Sequence, residues 1–347
     1  MTSPAALSAP TVHAPLPRPD RWHRPLIALA VVMALLAIAT GVLAITDPRE
    51  ILGQNAWFKP LKFALSIGIY AVTLAWLIGQ VQRYRRAADV LGTFTAVALL
   101  VEIAVIAGAA AAGTTSHFNI TTPLNGALWA VMGGSIVVVW LASVAVGIAV
   151  ALHPGPDAAR NLAIRAGIVL GIVGMGLAFL MTGPTADQLD DFQGVSGAHA
   201  VGVPDGGPGL PFLGWSTEGG DLRIPHFIGL HALQAIPLGL LALELVSRRV
   251  PVLRVPRVRF RLVLIGALAL AAVCGITTWQ ALIGEPVVRP SAPILLAGIV
   301  TLLGTVAATG TVLAAGARAG TTATAPSAGR PASPAESSSD AAAPAPD

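Results

Sequence analysis

A handful of side chains in this sequence are of types that do chemistry, and most of them sit in or beside long apolar runs. Glu102 lies in LLVEIAVIAG, His117 in TTSHFN, and His226, His231 and Gln234 in GDLRIPHFIGLHALQ, which also carries Arg223; Lys62 lies in WFKPLKF. A charged side chain at the middle of a bilayer costs about 2.5–3.5 kcal/mol on insertion scales, so an acid there must be protonated, paired or turned towards a protein interior. Such acids mark proton and ion pathways, which makes Glu102 the first residue to place. At 1.5 Å per residue, Glu102 lies ~16 Å below the outer end of its expected helix, with Gln234 ~13 Å and His231 ~9 Å below theirs. Together with Lys62 they form an expected polar column from the surface to mid-membrane.

The histidines admit a second reading. His117, His226 and His231 could hold haem or a divalent metal ion, since imidazole is a common ligand for both. His226 and His231 are five residues apart, about 140° around an ideal helix, so they do not form a one-face chelating pair. A hydrogen-bonding role is the plainer alternative for each histidine taken singly. His153 and His199 carry less weight, one beside Pro154 and the other in an acidic loop. Cys274 is the only cysteine, so neither a disulfide within the chain nor a cysteine metal cluster is available. No phosphate-binding loop, dinucleotide fingerprint, GxSxG, HExxH or CxxCH motif occurs at a usable position, which disfavours the enzyme classes they define.

The elements that must position these residues are apolar helices. The chain is 54% hydrophobic and only 11% charged, against about a quarter charged in soluble domains, and its mean hydropathy is +0.75. Runs of about 20 apolar residues are long enough to span a bilayer. The fold class expected is all-α, a polytopic transmembrane bundle of about eight spans near 25–45, 60–82, 90–112, 124–151, 163–182, 225–246, 262–283 and 292–316. Residues 1–24 and 317–347, rich in Ala, Pro, Ser and Thr, read as disordered cytoplasmic tails around a transmembrane domain, 25–316. Of 21 Lys and Arg, 16 fall on the side holding both termini, and Arg49, Lys59, Lys62, Arg223 and Arg289 on the other. The positive-inside rule then makes both termini cytoplasmic in the cell's inner (plasma) membrane. The basic pI signals topology, with no nucleic-acid motif beside it, and the partners expected are the lipid bilayer and a small-molecule or ion ligand.

The 183–224 loop is extracytoplasmic on this topology. Its glycine- and proline-rich second half with Trp215 reads as an ordered lid, with a solvated linker as the alternative. Pro237 removes a backbone hydrogen bond within the sixth span and should leave a carbonyl in need of a partner. Thr46-Asp47-Pro48 and Thr182-Gly183-Pro184 close the first and fifth spans, while Lys62-Phe63 and His226-Phe227 open the second and sixth. These matches fit a parallel four-plus-four repeat; chance likeness between apolar segments explains them nearly as well.

The strings WFKPLKF (57–63), TTSHFNITTP (114–123) and GGPGLPFLGWST with GDLRIPHFIGLHALQ (206–234) resemble an uncharacterised family of bacterial multi-pass membrane proteins. The likeness covers about residues 50–245 and implies no activity, although it groups Lys62, His117, His226 and His231. The leading functional expectation is a small-solute or proton-linked transporter with an extracytoplasmic-facing site. Glu102 would carry the proton or cation, His231 would tune or relay it, and Lys62 with Arg223 would attract anionic groups. The alternatives are a haem- or metal-binding redox protein or metal-dependent membrane enzyme built on His117, His226 and His231, and a non-catalytic sensor or assembly factor.

Overall fold

The computed structural model describes residues 21–322; the parts of the expected tails at 1–20 and 323–347 lie outside the described residues. The helices are α1 (Arg24–Thr46), α2 (Phe58–Gln80), α3 (Arg85–Ala111), α4 (Pro123–Ala151), α5 (Ala158–Leu177), the short α6 (Ala186–Asp190), α7 (Arg223–Val246), α8 (Pro256–Leu282) and α9 (Ala292–Thr322). Eight segments among the described residues are long and apolar enough to cross a membrane. The architecture is an all-α polytopic bundle. Among the described residues, strand structure is confined to two two-residue pairings, Glu50–Ile51 with Gln54–Asn55 and Ala200–Val201 with Gly220–Asp221, and two isolated bridges, Asn119 with Val195 and Gly209 with Ser216.

Local chemistry sets the helix ends. Thr122 and Asp157 cap α4 and α5 through their side chains, and Pro123 opens α4, where a missing N–H costs nothing. His23 caps α1, its ring accepting from the Leu26 amide. Three helices start earlier than their apolar runs: α3 at Arg85, α5 at Ala158 and α8 at Pro256. Each carries arginine in its first turns, and such side chains extend a helix beyond the hydrocarbon because their charged ends reach outwards.

The spans fall into two groups of four, α1 to α4 and α5 with α7 to α9. In each group the first helix lies most closely against the second; α3 then packs most on α4, whereas α8 packs on α7 somewhat more than on α9. The groups meet chiefly through α4 and α5, with α2 touching α7 at few positions. Around the α2–α4 hydrogen bond midway along the bundle this meeting is solid. Tyr70 Oη and Ser143 Oγ are hydrogen-bonded at 2.6 Å, and Leu74, Val146, Ile168, Met175 and Leu233 fill one core around them. Towards the end where the strand pairings lie, the groups part.

The α5–α7 contact depends on glycine. A Cβ at Gly174 would lie 2.1 Å from the Leu230 amide nitrogen, and one at Gly229 would lie 2.5 Å from the Gly174 Cα. Small residues let membrane helices approach to backbone contact, where dispersion replaces the missing hydrophobic drive. One turn further along, the Leu233 carbonyl, freed because Pro237 has no N–H, faces Gly167 at a distance where an added methyl would come within 3.3 Å. Gly239, on the same helix, has open space around it. Gly174→Ala is therefore expected to destabilise the protein by about 1–3 kcal/mol or more through overpacking, and Gly239→Ala to be neutral. Thermal unfolding in detergent checks the pair; equal midpoints for the two variants would contradict the packing described.

Candidate functional site

Where the two groups part they enclose a cavity of about 840 Å³, walled by α2, α3, α4 and α7 and covered by the loop between α5 and α7. That volume lies in the upper range for small-molecule sites. The cover is an ordered layer. The Ile120 amide donates to Gly194 and the Ser196 amide to Phe118, joining the 112–122 loop to the long loop. A capping box at Thr185 and Gln188 starts α6, and the Gln188 side chain also binds the Gly197 backbone. Arg289 reaches the Thr217 carbonyl, tying in the α8–α9 connection.

Glu102 stands in the cavity wall with its side chain 3% exposed. Its Oε1 is 3.9 Å from His117 Nε2, and its buried Oε2 has no hydrogen-bonding partner among the described residues. An unsatisfied buried carboxylate oxygen carries a desolvation cost that a proton or a ligand donor relieves. His117 arrives from the loop after α3, which turns back at Phe118 with a φ of 64°. Its ring lies 5.6 Å from those of both Phe63 and Trp129 and 6.4 Å from that of His199, centroid to centroid. Burial, with Lys59 and His199 adding repulsion, holds its pKa well below the usual imidazole value.

Three histidines are oriented in one way, each with Nδ1 tied to an oxygen. His199 Nδ1 is 2.6 Å from Asp205 Oδ2. His226 Nδ1 donates to the Gly174 carbonyl at 2.7 Å, an acceptor released because the end of α5 tightens into a 3-10 turn, Ala178–Met181, and the Ala178 amide turns to Met175 and Gly176. His231 Nδ1 is 3.3 Å from Gln234 Oε1, and Gln234 in turn donates to Thr73 Oγ1 at 3.2 Å. Such partners select the tautomer with Nε2 bare, and all three residues line the cavity. Burial lowers the pKa of His199, with the Asp205 bond opposing it. Burial would raise Asp205, but hydrogen bonds from the His199 ring and from the His199 and Ala200 amides hold it below the carboxylate range.

The basic residues divide by what they hold. Lys62 Nζ donates to the carbonyls of Phe212 at 2.9 Å and Leu213 at 2.8 Å. Arg223 pairs with the fully buried Asp221 and donates to the Gly214 carbonyl. Both therefore tie down the cover. Lys59 lines the cavity, lies within electrostatic reach of Glu102 and makes no hydrogen bond or ion pair among the described residues.

The structure thus gathers Glu102, His117, His226, His231, Lys62 and Arg223 around one cavity. Gln234 sits behind His231 as its partner and is absent from the lining. Among the lining residues, Asp205 and Trp129 were passed over in the sequence, and Lys59 and His199 were given little weight. The adjacency of His199 and Asp205 across a glycine-containing turn, with no residue of the apolar runs near them, was the one available signal. The histidines do not converge on a shared centre: His117 faces Glu102, His226 faces Gly174, and His231 stacks on Phe227 with ring planes 14° apart. Among the described residues no three His, Cys, Asp or Glu side chains come together at metal-binding spacing. Cys274 is buried with its thiol towards the Pro225 carbonyl.

Fold and cavity together define a multi-pass integral membrane protein. Comparison with known protein families, with curated proteins and with solved structures finds no match for the chain.

The lowered pKa of His117 has a consequence for stability. The unfolded chain takes up a proton on this residue near pH 6.5, the folded protein only at lower pH. Stability from keeping the ring neutral is complete above that pH and is lost as pH falls. Lys59, His199 and Glu102 are the charged or titratable groups around it. The thermal midpoint is expected to fall between pH 7.5 and pH 5, and to fall less in His117→Gln. A wild type and variant with parallel pH profiles would show that burial of this ring does not govern the change.

Proposed function

We propose that the protein is a proton-linked carrier of a small solute, with the cavity as its binding site and Glu102 as the group that takes up the proton. The observation that carries this reading is the Glu102 carboxylate: one oxygen buried without a partner, the other facing His117, in the wall of a cavity large enough for a ligand. A proton on Glu102 removes the cost of burying its charge, and a bound solute with a donor group does the same, so the two events are linked. Two features support transport in particular. The cavity lies between two groups of four helices, each built on a closely packed first pair, and carriers work by rocking one such group against the other. Below it, the packed core around Tyr70 and Ser143 closes the path to the arginine-rich end.

The distribution of basic residues supports an orientation. With 16 of 21 Lys and Arg at the end holding both termini, that end is cytoplasmic and the cavity faces outwards from the inner membrane. In this state Lys59 supplies an uncommitted cation beside Glu102, His117 supplies an acceptor that stays neutral, and the His231–Gln234–Thr73 chain links α7 to α2.

Proteoliposomes loaded with a pH-sensitive dye test the proposal against a panel of small organic acids, amines and amino acids. At least one solute is expected to drive proton movement in the wild type, and Glu102→Gln to reduce it by about tenfold or more while thermal stability is kept or raised. Solute uptake equally proton-coupled in Glu102→Gln would remove this residue from the mechanism.

A further inference from the structure

The cavity wall is thin on α2 and, less so, where Val137 of α4 and Phe179 beyond α5 line it at 42% and 37% exposure. On α2, Leu65 and Ile69 line it and are 48% and 49% exposed, whereas other apolar lining residues such as Met132 and Ile106 are 0% and 1% exposed. Facing the cavity therefore does not in itself expose a side chain; these two stand at an opening. Opposite them α7 contributes Phe227 and His231. The two helices touch at few positions, and their one side-chain hydrogen bond among the described residues is Gln234 to Thr73, one turn below Ile69. Leu65 and Ile69 lie about 10 and 16 Å along α2 from its start at Phe58, which is hydrocarbon depth for a spanning helix.

The aqueous end is built differently. Pro204–Gly207 and Leu213–Ser216 lie across it as part of the lining. Lys62 and Arg223 clamp the Phe212, Leu213 and Gly214 carbonyls, Phe212 packs edge-on to Phe58 at 5.3 Å, and Leu52 backs Gly206. The side that is covered is the one facing water, and the side left thin is the one facing lipid. The lining also holds Phe63 and Trp129, whose rings pack about that of His117, and the polar groups Lys59, His117 and Glu102. Of these, Lys59 is the cation with no hydrogen-bond or ion-pair partner among the described residues.

We infer that the cavity takes an amphiphile with an anionic headgroup and an apolar chain, which enters sideways from the bilayer between α2 and α7. The headgroup, a carboxylate or a phosphate, is held by the Lys59 ammonium, and the chain lies along Leu65 and Ile69. This rests on the reading of the cavity as the ligand site and names the class of solute that reading leaves open.

Binding to the full-length protein in nanodiscs of uncharged phosphatidylcholine tests the inference, with cis-parinaric acid as the fluorescent probe. Its methyl ester has the same chain without the charge, and butyrate has the charge without the chain. The acid is expected to bind saturably, the ester roughly tenfold more weakly, and butyrate not to compete. Lys59→Gln is expected to abolish the preference for acid over ester and Lys59→Arg to keep it, so a general folding defect is distinguished from loss of the charge. Ile69→Trp, filling the opening, is expected to weaken or slow binding of both probes. Competition by phosphatidylglycerol identifies a membrane phospholipid as the source; displacement by free fatty acid alone identifies a single-chain acid.

Equal binding of acid and ester, effective competition by butyrate, or a preference that survives Lys59→Gln would each overturn the inference. The two proposals fail separately. Amphiphile binding as described with proton movement independent of Glu102 removes the carrier and leaves this site. Glu102-dependent movement of a short hydrophilic solute without amphiphile binding does the reverse.

Discussion

The meeting of α5 and α7 at Gly174 and Gly229 is the contact on which the second half of the bundle depends. In a bilayer, helices gain little by hiding apolar side chains from one another, because lipid chains are equally apolar. What holds them is close packing and the hydrogen bonds that close packing permits. With no side chain at either position, α5 and α7 come to backbone contact, and the Gly174 carbonyl falls within 2.7 Å of His226 Nδ1. That carbonyl is available because α5 ends in a 3-10 turn and its amide ladder shifts by one residue. One close approach thus sets the helix spacing, satisfies a buried backbone acceptor and chooses the tautomer of a cavity histidine.

The cavity is the complement of that tight contact. The two groups of four spans press together midway along the bundle, where Ile168, Met175 and Leu233 pack beside the α2–α4 hydrogen bond of Tyr70 and Ser143. Parting towards the end with the strand pairings leaves a volume that the protein fills only in part, and the polar groups placed there cannot all be satisfied by neighbours. Glu102 shows the tension most plainly, with a buried oxygen that has no hydrogen-bond partner among the described residues. Burying charge without a partner is costly, a cost that a proton or a ligand donor would relieve. Around Glu102 the histidines are fixed by oxygen acceptors on the far side of each ring, which leaves their remaining nitrogens directed by the fold rather than by chance rotation.

The loop over the cavity owes its order to charge. Asp221 is fully buried yet ion-paired with Arg223, and Lys62 is anchored to two backbone carbonyls 150 or more residues away in sequence. Spending two cations on backbone and loop leaves Lys59 as the uncommitted positive group at the site. The same economy appears at the first hairpin, where Asp47 accepts from Arg49 and from the Trp57 indole and is held below its ordinary pKa by them. Ordered caps on both halves confine irregular backbone to the ends of the bundle, as the absence of water in the hydrocarbon region demands.

By itself the amino-acid sequence determined the class of fold, the number of spans and the segments that would reach furthest into the membrane. These follow from hydrophobicity summed over about 20 residues, a local property that tertiary contacts do not overturn. It also singled out Glu102, because an acid in an apolar run is costly wherever the helix ends up. The expected column from surface to mid-membrane was half legible: Glu102, His117 and His231 do line one cavity, but Gln234 stands behind His231 and Lys62 and Arg223 serve the cover. Only the tertiary structure decided which helices are neighbours, that Lys59 and not Lys62 is left free, and that His199 with Asp205 enters from a loop to join the site. Those outcomes turn on side-chain direction and on contacts between residues far apart in the chain, to which hydropathy and spacing are blind. The His199–Asp205 pair is the clearest case: an unremarkable loop histidine in the sequence, it acquires a buried place in the cavity because Phe118, Met181 and Leu222 pack together beneath it.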